Sequence, residues 1–329
     1  MSKNVRTFVP CWPASLVLMN KLPLAIAVLG FIFLSEYEPT GRPVTLALLG
    51  DLMVGRGVDP MPASLAYLAP NLKAADLSLA NLESPLTSSP ASPTAKGGYD
   101  LCASDLRAVL FPPWGLDMLT LANNHRFDCG DDRVGDTIRA VSGAGLVPIG
   151  PGPGPVYREV NGLKLAFVAF DDVLSRIDAT AAAQLIREAR ARGAVVIVPV
   201  HWGMEYQEGA TDRQKYLARQ FAGAGAALIV GTHPHVLQRA EWIQSPSSAA
   251  GVQPGPLPGT LVLYSLGNAL FDQGGLADTR RSALVVVTLD EEGVKSVRVM
   301  PFAIDAVESR VLAPDGETAK FIRDQLNLP

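Results

Sequence analysis

All four histidines of the chain lie at, or just beyond, the end of an apolar run. The runs LTLANNH, VVIVPVH and ALIVGTHPH end in histidine, and the runs LALLGD and LSLANLE end in an acidic residue. In a mostly parallel sheet the carboxyl ends of the strands share one edge, and side chains just beyond them meet in one crevice. We therefore expect the strand ends to bring together one polar set: Asp51, Glu83, Asn124, His125, His201, His233 and His235.

These residue types are typical metal ligands. Imidazole combined with carboxylate and amide oxygen suits Mn, Fe or Zn. A structural zinc ion needs only four ligands, so seven candidates are too many for one ion and about right for two, although the ligands could also hold a single divalent ion. Two ions about 3.5–4 Å apart can clamp an oxyanion and lower the pKa of a bridging water. The sequence therefore predicts hydrolysis of a phosphoester or another hydrolytic transfer.

Some members of the set have a second interpretation. His125 and His201 are also candidates for a catalytic acid, because either imidazole could protonate a leaving group instead of binding metal. Asp128 follows His125 by three residues and is placed to orient that ring. In His233-Pro234-His235 the spacing of two predicts that an extended backbone puts both rings on the same side.

Four further polar residues near these motifs are candidates for substrate binding: Arg56, Asn81, Glu205 and Asn268. Arg56 could hold a phosphate or carboxylate with two hydrogen bonds, although an ordinary surface arginine is an equal alternative. Glu205 could bind an amine-bearing substrate or support His201 from behind. Asn81 competes with Glu83 for the metal at the same strand end, and Asn268 follows another strand end.

The elements that must position these residues alternate between buried strands and amphipathic helices. Asp178 is predicted to cap a helix through Ala179–Ala191, Thr211 to cap a helix over 212–222, and Asp132 to start a weaker helix that closes at 143–145. This alternation predicts an α/β fold with mostly parallel strands, to which the later runs add antiparallel ones. The predicted strands are the apolar runs 44–49, 77–80, 118–122, 165–170, 194–200, 226–230, 260–264 and 283–289.

The N-terminal segment differs from the rest of the chain. Before Glu36 its only charges are Lys3, Arg6 and Lys21, and the apolar run 22–34 is shorter than the roughly 20 residues of a membrane span. It suits a signal peptide, but no A-x-A cleavage site follows, which favours an uncleaved anchor. Both alternatives place the domain outside the cytoplasm, either anchored to the cell membrane or secreted. We therefore predict an anchor or signal segment with its linker at 1–43, one domain at 44–305 and a C-terminal extension with a short helix at 306–329.

Charge and cysteine content exclude several classes. The net charge is −4 and the basic residues are scattered, so we expect no nucleic-acid partner. The three cysteines form no CxxC pair, which argues against a thiolate zinc site. Cys102 and Cys129 could form a disulfide, but two unpaired thiols in a packed domain are the favoured interpretation. A GxSxG nucleophile elbow and a Walker phosphate loop are both absent from the sequence.

Taken together, the motifs resemble the bacterial capsule synthesis CapA family, also called the poly-γ-glutamate synthesis protein family, which is related to the calcineurin-like metallophosphoesterases. The matching pieces are GDLMVGR, ANLESPLT, LANNHRFDCG, HWGMEYQ, VGTHPHVLQ and YSLGNALFD, which cover roughly 44–304 in the family's order.

The resemblance implies an α/β fold in the form of a four-layer αββα metallophosphatase-like sandwich with mixed sheets, often membrane-anchored and facing outward. It makes Asn124 the ligand of the NNH motif. The calcineurin-like D-x-H motif lacks its histidine here, because Met53 stands two residues after Asp51. Cys129 replaces the tyrosine expected in the family.

The leading hypothesis is a metal-dependent hydrolase of capsule or poly-γ-glutamate biosynthesis or export. Its substrate would be an anionic polymer or a phosphoester, with membrane synthase components as partners. A non-catalytic, membrane-tethered subunit that binds polymer or synthase is one alternative, motivated by the missing D-x-H histidine. A secreted phosphoesterase without a capsule role is another.

Overall fold

Two mixed β-sheets and six α-helices make up the part of the chain that the computed structural model describes, which is residues 42–90, 99–152, 154–244 and 259–328. These residues all belong to one compact unit, Pro39–Pro329. The predicted anchor or signal segment lies outside the described residues except for 42–43. Within the described ranges, every helix is too short or too polar to cross a membrane.

The strands are β1 (Val44–Leu52), β2 (Leu77–Leu82), β3 (Leu86–Thr87), β4 (Ala103–Ser104), β5 (Met118–Thr120), β6 (Val147–Ile149), β7 (Val156–Val160), β8 (Leu163–Phe167), β9 (Phe170–Asp171), β10 (Val195–His201), β11 (Ala226–Thr232), β12 (Leu237–Gln238), β13 (Glu241–Ile243), β14 (Thr260–Leu263), β15 (Ser265–Leu266), β16 (Asn268–Leu270), β17 (Arg281–Asp290), β18 (Gly293–Asp305) and β19 (Arg310–Leu312). The α-helices are α1 (Ala69–Ala74), α2 (Phe111–Trp114), α3 (Val134–Gly143), α4 (Ala179–Ala191), α5 (Asp212–Gly223) and α6 (Gly316–Leu326). Short 3₁₀ turns cover Asp105–Leu110, Asp131–Arg133 and Asp278–Arg280.

The first sheet has the order β19-β18-β17-β1-β2-β5-β6, with β16 paired to the end of β1. Its strands β1, β2, β5 and β6 are parallel, whereas β17, β18 and β19 are antiparallel additions. The second sheet has the order β13-β14-β11-β10-β8-β7, with β9 paired to the end of β10. Strands β8, β10, β11 and β14 are parallel, and β7 and β13 are antiparallel edge strands. Two small two-stranded ladders pair β3 with β4 and β12 with β15.

Three apolar cores define four layers. The two sheets pack face to face through a core that contains Leu46 and Leu48 of β1 and Ile197 of β10. On the opposite face of β1, Ala47 and Leu49 belong to a second core that includes α1, α2 and α3. On the opposite face of β10, Val196 and Val198 belong to a third core that includes α4 and α5. Because both sheets are covered on both faces, their central strands are continuous apolar runs. The predicted four-layer αββα sandwich with mixed sheets is confirmed.

The helix signals in the sequence are mostly confirmed. Asp178 caps α4 by accepting hydrogen bonds from the backbone N–H groups of Thr180 and Ala181. Thr211 caps α5 in a reciprocal capping box with Gln214. The third predicted helix begins at Val134, since Asp131–Arg133 form a 3₁₀ turn. The C-terminal helix α6 buries Ile322 and Leu326 in the core between the sheets.

Two strand features differ from expectation. The run 260–264 was expected to be an antiparallel addition, but β14 joins β11 in parallel. The connection 233–259 exceeds the dozen or so residues that a parallel crossover requires, so a helix is not needed to return the chain. The 13-residue strand β18 was not predicted. The polar residues Ser296 and Arg298 interrupt its apolar positions, because part of one face meets solvent.

The cysteine prediction was wrong. Cys102 and Cys129 form a disulfide across 27 residues of sequence, where unpaired thiols were favoured. A hydrogen bond from the backbone N–H of Leu101 to Asp128 holds the two cysteine segments side by side, and the spacing of the cysteines does not reveal that contact.

Candidate metal centre

Strand ends of both sheets converge on one buried group. Asp51 lies near the end of β1 and Glu83 directly follows β2, both in the first sheet, while His201 ends β10 of the second sheet. One ligand atom from each lies within 4.8 Å of the other two. Nε2 of His201 is 3.6 Å from Oε1 of Glu83 and its Nδ1 is 3.9 Å from Oδ1 of Asp51. The three side chains are almost completely buried.

A second group adjoins the first. Glu205, His233 and His235 also place one ligand atom each within 4.8 Å of one another, and Glu205 is exposed to solvent. The ring centroids of His201 and His233 are 4.8 Å apart, and Nδ1 of His235 lies 3.4 Å from Oδ2 of Asp51. The arrangement therefore offers two neighbouring positions for a cation, one buried and one reaching the surface.

The NNH turn borders these groups. Oδ1 of Asn124 lies 2.7 Å from Nε2 of His201. His125 belongs to neither group, and its Nδ1 lies 2.8 Å from Oδ2 of Asp128. This position of Asp128 is the one that the sequence predicted for orienting the ring.

The backbone at the two site histidines corrects one expectation. The sequence predicted an extended His233-Pro234-His235, but His233 has φ = +97° and His235 has φ = +59°. This left-handed geometry turns the backbone N–H of His233 toward Oδ2 of Asp51, to which it donates a hydrogen bond of 2.9 Å. The hydrogen bond joins the two sheets at the site and offsets the cost of the rare conformation.

The absence of a side chain at Gly50 also shapes the site. A Cβ at Gly50 would lie 1.8 Å from the carbonyl oxygen of Gly267. The close approach lets the N–H of Asp51 donate to that oxygen at 2.9 Å and places Asn268 in register with Asp51. Residue 50 must therefore be glycine for β16 to reach the end of β1.

Two of the predicted substrate binders hold the candidate ligands in place. Asn81 donates a hydrogen bond to Oδ1 of Asp51 at 2.8 Å and lies 3.3 Å from Nδ1 of His201. Oδ1 of Asn268 lies 2.9 Å from Nδ1 of His235. Both asparagines are buried, and their other hydrogen bonds fix their side chains: Asn81 accepts from Thr120, and Asn268 donates to the backbone carbonyl of Thr279.

The other two predicted substrate binders line the outer side of the site. Arg56 is half-buried and forms an ion pair with Asp272 through two of its nitrogens, with its guanidinium 5.6 Å from the centroid of the Phe271 ring. The carboxylate of Glu205 belongs to the second candidate group, which adds a ligand role to the two roles suggested by the sequence.

The sequence around the site matches a known protein family. The family model described as "Bacterial capsule synthesis protein PGA_cap" matches residues 45–273, which include both candidate groups. The chain belongs to this capsule synthesis family. The PGA_cap match confirms the resemblance drawn from the sequence motifs.

Two relatives extend the PGA_cap match over most of the chain. The "PGA biosynthesis protein CapA" of Bacillus subtilis (strain 168) is 29% identical over 309 residues, covering 86% of this chain and 77% of that protein. The "Capsule biosynthesis protein CapA" of Bacillus anthracis is 30% identical over 292 residues, covering 79% of this chain and 67% of that protein. A solved structure of a hypothetical protein from Thermus thermophilus superposes with a TM-score of 0.49 at 18% identity, covering 79% of this chain and 99% of that one.

In this PGA_cap chain, burial controls the ionisation of the two acids. Burial raises the pKa of Asp51, although hydrogen bonds from the backbone of His233 and the side chain of Asn81 counteract it. Burial and the nearby Asp51 carboxylate raise the pKa of Glu83 well above its ordinary value. Without a cation, the pair therefore favours a state that retains a proton.

Burial acts on the histidines in the opposite sense. It lowers the pKa of His233 to about 4 and that of His235 to about 3, with neighbouring imidazoles adding to the effect. The pKa of His201 is also well below its ordinary value, mainly through burial. Near neutral pH all three rings are uncharged, which is the form that binds metal ions.

The donor set passes a test of fit for a divalent cation. Both carboxylate oxygens of Glu83 are buried, and neither has a hydrogen-bond partner among the described residues. A buried, unpartnered carboxylate costs several kcal/mol unless a positive charge compensates it. The guanidinium of Arg56 acts on Glu83 from the outer side but is paired with Asp272, and the imidazoles of the site are neutral, so the site suits a cation.

The acids at one strand end were not predicted from the sequence. The run LAFVAFDD ends in Asp171 and Asp172, and the same strand-end signal would have identified them. Asp171 forms an ion pair with Arg126, beside the NNH turn, and pairs in register with His201. The Arg126–Asp171 pair borders a cavity of about 410 Å³ that extends to the first turns of α4.

Proposed function

We propose that this chain is a metal-dependent, hydrolase-type protein of capsule or poly-γ-glutamate biosynthesis or export. Membership of the capsule synthesis family supports the biological role. The observation that carries the metal-dependent chemistry is the buried, unpartnered carboxylate of Glu83 beside Asp51 and His201.

Two cation positions are proposed. Asp51, Glu83 and His201 hold one ion, with Asn124 beside His201, and the second group holds the other through Glu205, His233 and His235. The donor types suit Mn, Fe or Zn. A pair of divalent ions supplies Lewis-acid polarisation of a bound oxygen and stabilises negative charge that develops on it.

The chain's own residues provide proton transfer and orientation. Asp128 holds Nδ1 of His125, which leaves Nε2 as the nitrogen that exchanges a proton with a leaving group. His201 belongs to the buried group with Asp51 and Glu83, which supports a role as a metal ligand. Of the two catalytic candidates from the sequence, the geometry therefore favours His125 as the acid.

The proposed substrate is an anionic polymer or a phosphoester. Arg56 lies on the outer side of the site near Glu83, where its positive charge would attract such a substrate. An extracytoplasmic position, by an N-terminal anchor or after secretion, agrees with the Cys102–Cys129 disulfide, because disulfides persist in oxidising compartments. Membrane synthase components remain the proposed partners.

The test measures metal content and turnover of the full-length protein purified in detergent. Mn²⁺ and Zn²⁺ occupancy is compared between the wild type and His201→Ala, and hydrolysis of bis(p-nitrophenyl) phosphate and of γ-glutamyl peptides is followed. We expect one or two ions per chain in the wild type, reduced occupancy in the variant and metal-dependent turnover lost in His125→Ala. Absence of bound metal in the wild type would end the proposal.

One observation favours a second candidate function, a non-catalytic subunit that binds polymer or a synthase. Met53 stands where the resemblance places a histidine ligand, and it is fully buried in the apolar core beside the first sheet. The first cation position therefore has one imidazole fewer than expected. Metal binding without turnover of either substrate class, together with retention of the polymer by the wild type, would select this alternative.

A further inference from the structure

The Cys102–Cys129 disulfide joins two segments that border the candidate metal centre. Cys129 lies four residues after His125, in the turn that also carries Asn124. Cys102 directly precedes β4, which pairs with β3, and β3 begins three residues after Glu83. The cross-link therefore connects the turn of Asn124 and His125 to β4, which pairs with the strand that follows Glu83.

A chain of contacts leads from the disulfide to the ring of His125. Oδ2 of Asp128 lies 2.8 Å from Nδ1 of His125 and accepts a 2.8 Å hydrogen bond from the backbone N–H of Leu101. Leu101 and Asp128 directly precede Cys102 and Cys129 in sequence. The hydrogen bond and the disulfide therefore hold the same two segments side by side.

The segment after Glu83 meets the same junction at Pro85. Sγ of Cys129 lies 3.3 Å from the carbonyl oxygen of Pro85, and the backbone N–H of Ala103 donates to that oxygen at 2.9 Å. Three segments thus meet at the sulfur atoms, and two of them continue directly into candidate site residues.

The turn has few apolar contacts to hold it, and its other contacts are polar, among them the ion pair between Arg126 and Asp171. No described residue from Asn124 to Arg133 is buried, and the side chain of Phe127 is 37% exposed. Segments with few buried apolar contacts open at low free energy. The covalent link therefore supplies a constraint that the apolar core does not provide here.

We infer that the Cys102–Cys129 disulfide is a positioning element of the metal centre, which keeps Asn124 at His201 and Asp128 at His125. The inference rests on the proposed function, because it presumes that the centre binds metal. Groups that orient metal ligands typically change affinity 10- to 100-fold. Loss of the disulfide should therefore weaken Mn²⁺ binding by about tenfold or more.

The experiment compares the oxidised full-length wild type with the double variant Cys102→Ala/Cys129→Ala. Cys11→Ser is the matched control, because it removes a cysteine and leaves the disulfide intact. Mn²⁺ affinity is measured by titration calorimetry without reductant, and hydrogen exchange is measured on peptides covering 121–130. We expect weaker Mn²⁺ binding and faster exchange in the double variant, and wild-type behaviour in the control.

Equal Mn²⁺ affinity and equal exchange in the double variant would overturn the inference, even with a lower unfolding temperature, since the disulfide would then act only on global stability. If the wild type binds no Mn²⁺, the proposed function fails. The exchange comparison then decides the positioning role by itself: faster exchange confined to 121–130 supports it, and unchanged exchange rejects it.

A second variant covers the case in which the double variant does not fold. Asp128→Asn keeps the disulfide but replaces the carboxylate that orients His125. We expect faster hydrogen exchange over 121–130, because the Asp128 carboxylate also accepts from the backbone N–H of Leu101, while the unfolding temperature of the metal-free protein stays near that of the wild type. Unchanged exchange over 121–130 would contradict the contact chain on which the inference depends.

Discussion

Oε1 of Glu83 lies 3.6 Å from Nε2 of His201, and neither carboxylate oxygen of Glu83 accepts a hydrogen bond from the part of the chain that the structure describes. The contact joins the two sheets, because Glu83 follows β2 and His201 ends β10. A buried acid in this position is unfavourable in the metal-free protein and becomes favourable when a cation binds. The first prediction follows from this opposition between stability and binding.

Glu83→Gln should stabilise the metal-free protein and abolish its stabilisation by metal. The pKa of Glu83 is raised by burial and by Asp51, so the ionised form is disfavoured in the folded state. The ionised carboxylate therefore lowers the free energy of unfolding once the pH rises above the unfolded pKa of about 4.3, and this loss grows until the pH passes the folded pKa. We expect the variant to gain about 1–3 kcal/mol of unfolding free energy at pH 8 in a chelator.

The measurement is denaturant unfolding with EDTA and with Mn²⁺. Glu188→Gln is the matched control, because Glu188 is exposed on α4, far along the chain from the acids of the site. The control should gain no stability and should retain the Mn²⁺ effect. If metal-free Glu83→Gln is less stable than the wild type, the buried carboxylate does not destabilise the metal-free protein.

The two candidate groups should lose their ions separately. His235→Ala removes a donor from the group of Glu205 and His233, whereas Glu83→Gln removes one from the group of Asp51 and His201. We expect each single variant to retain about one ion per chain where the wild type holds two, and the double variant to retain none. Elemental analysis after gel filtration gives the stoichiometry, and loss of both ions in either single variant would indicate one shared site.

Proton release on metal binding should come from the acids. The pKa values of His233 and His235, about 4 and about 3, leave these rings neutral at pH 6 to 7, so they have no proton to lose. The raised pKa values of Asp51 and Glu83 mean that the pair retains a proton until the cation displaces it. Mn²⁺ affinity should therefore rise with pH through this range.

Titration calorimetry at pH 6.5 in buffers of different ionisation enthalpy counts the released protons. The wild type should release about one proton per Mn²⁺ at the buried group, and Glu83→Gln should release fewer. Equal proton release by both proteins would assign the proton to another group and remove the acid pair from the explanation.

The features visible in the sequence are those set by short stretches of chain. Asp51 and His201 could be placed at strand ends because each closes an unbroken apolar run. The helix starts at Asp178 and Thr211 depend on a side chain within three residues of the N–H groups it caps, so composition and spacing were sufficient. The orientation of His125 by Asp128 is equally local.

The features that the sequence did not reveal depend on contacts between distant segments. The left-handed backbone at His233 is held by a hydrogen bond to Asp51, which lies 182 residues away, so the tripeptide alone could not show it. The grouping of Glu205 with His233 likewise depends on how the loop after β10 folds over the end of β11. The disulfide required knowledge that the segment of Leu101 lies against the turn of Asp128.

The strand end that sequence reasoning overlooked yields the last prediction, a pH-dependent loss of stability in Asp172→Asn. Burial by itself would raise the pKa of Asp172, but hydrogen bonds from Arg213, the backbone of Ile177 and Arg176 outweigh it and lower the pKa. Stability from this carboxylate is therefore present above the unfolded pKa of about 3.9 and is lost as the pH falls through the folded pKa. We expect the free energy of unfolding to fall by about 1–3 kcal/mol at pH 7 and by less toward pH 3, because protonation removes the charge in the wild type as well.

Asp324→Asn is the control, because it breaks an exposed pair with Lys320 and should cost less than 1 kcal/mol at either pH. Urea unfolding measures both variants, and an equal loss in the two would contradict the buried role of Asp172.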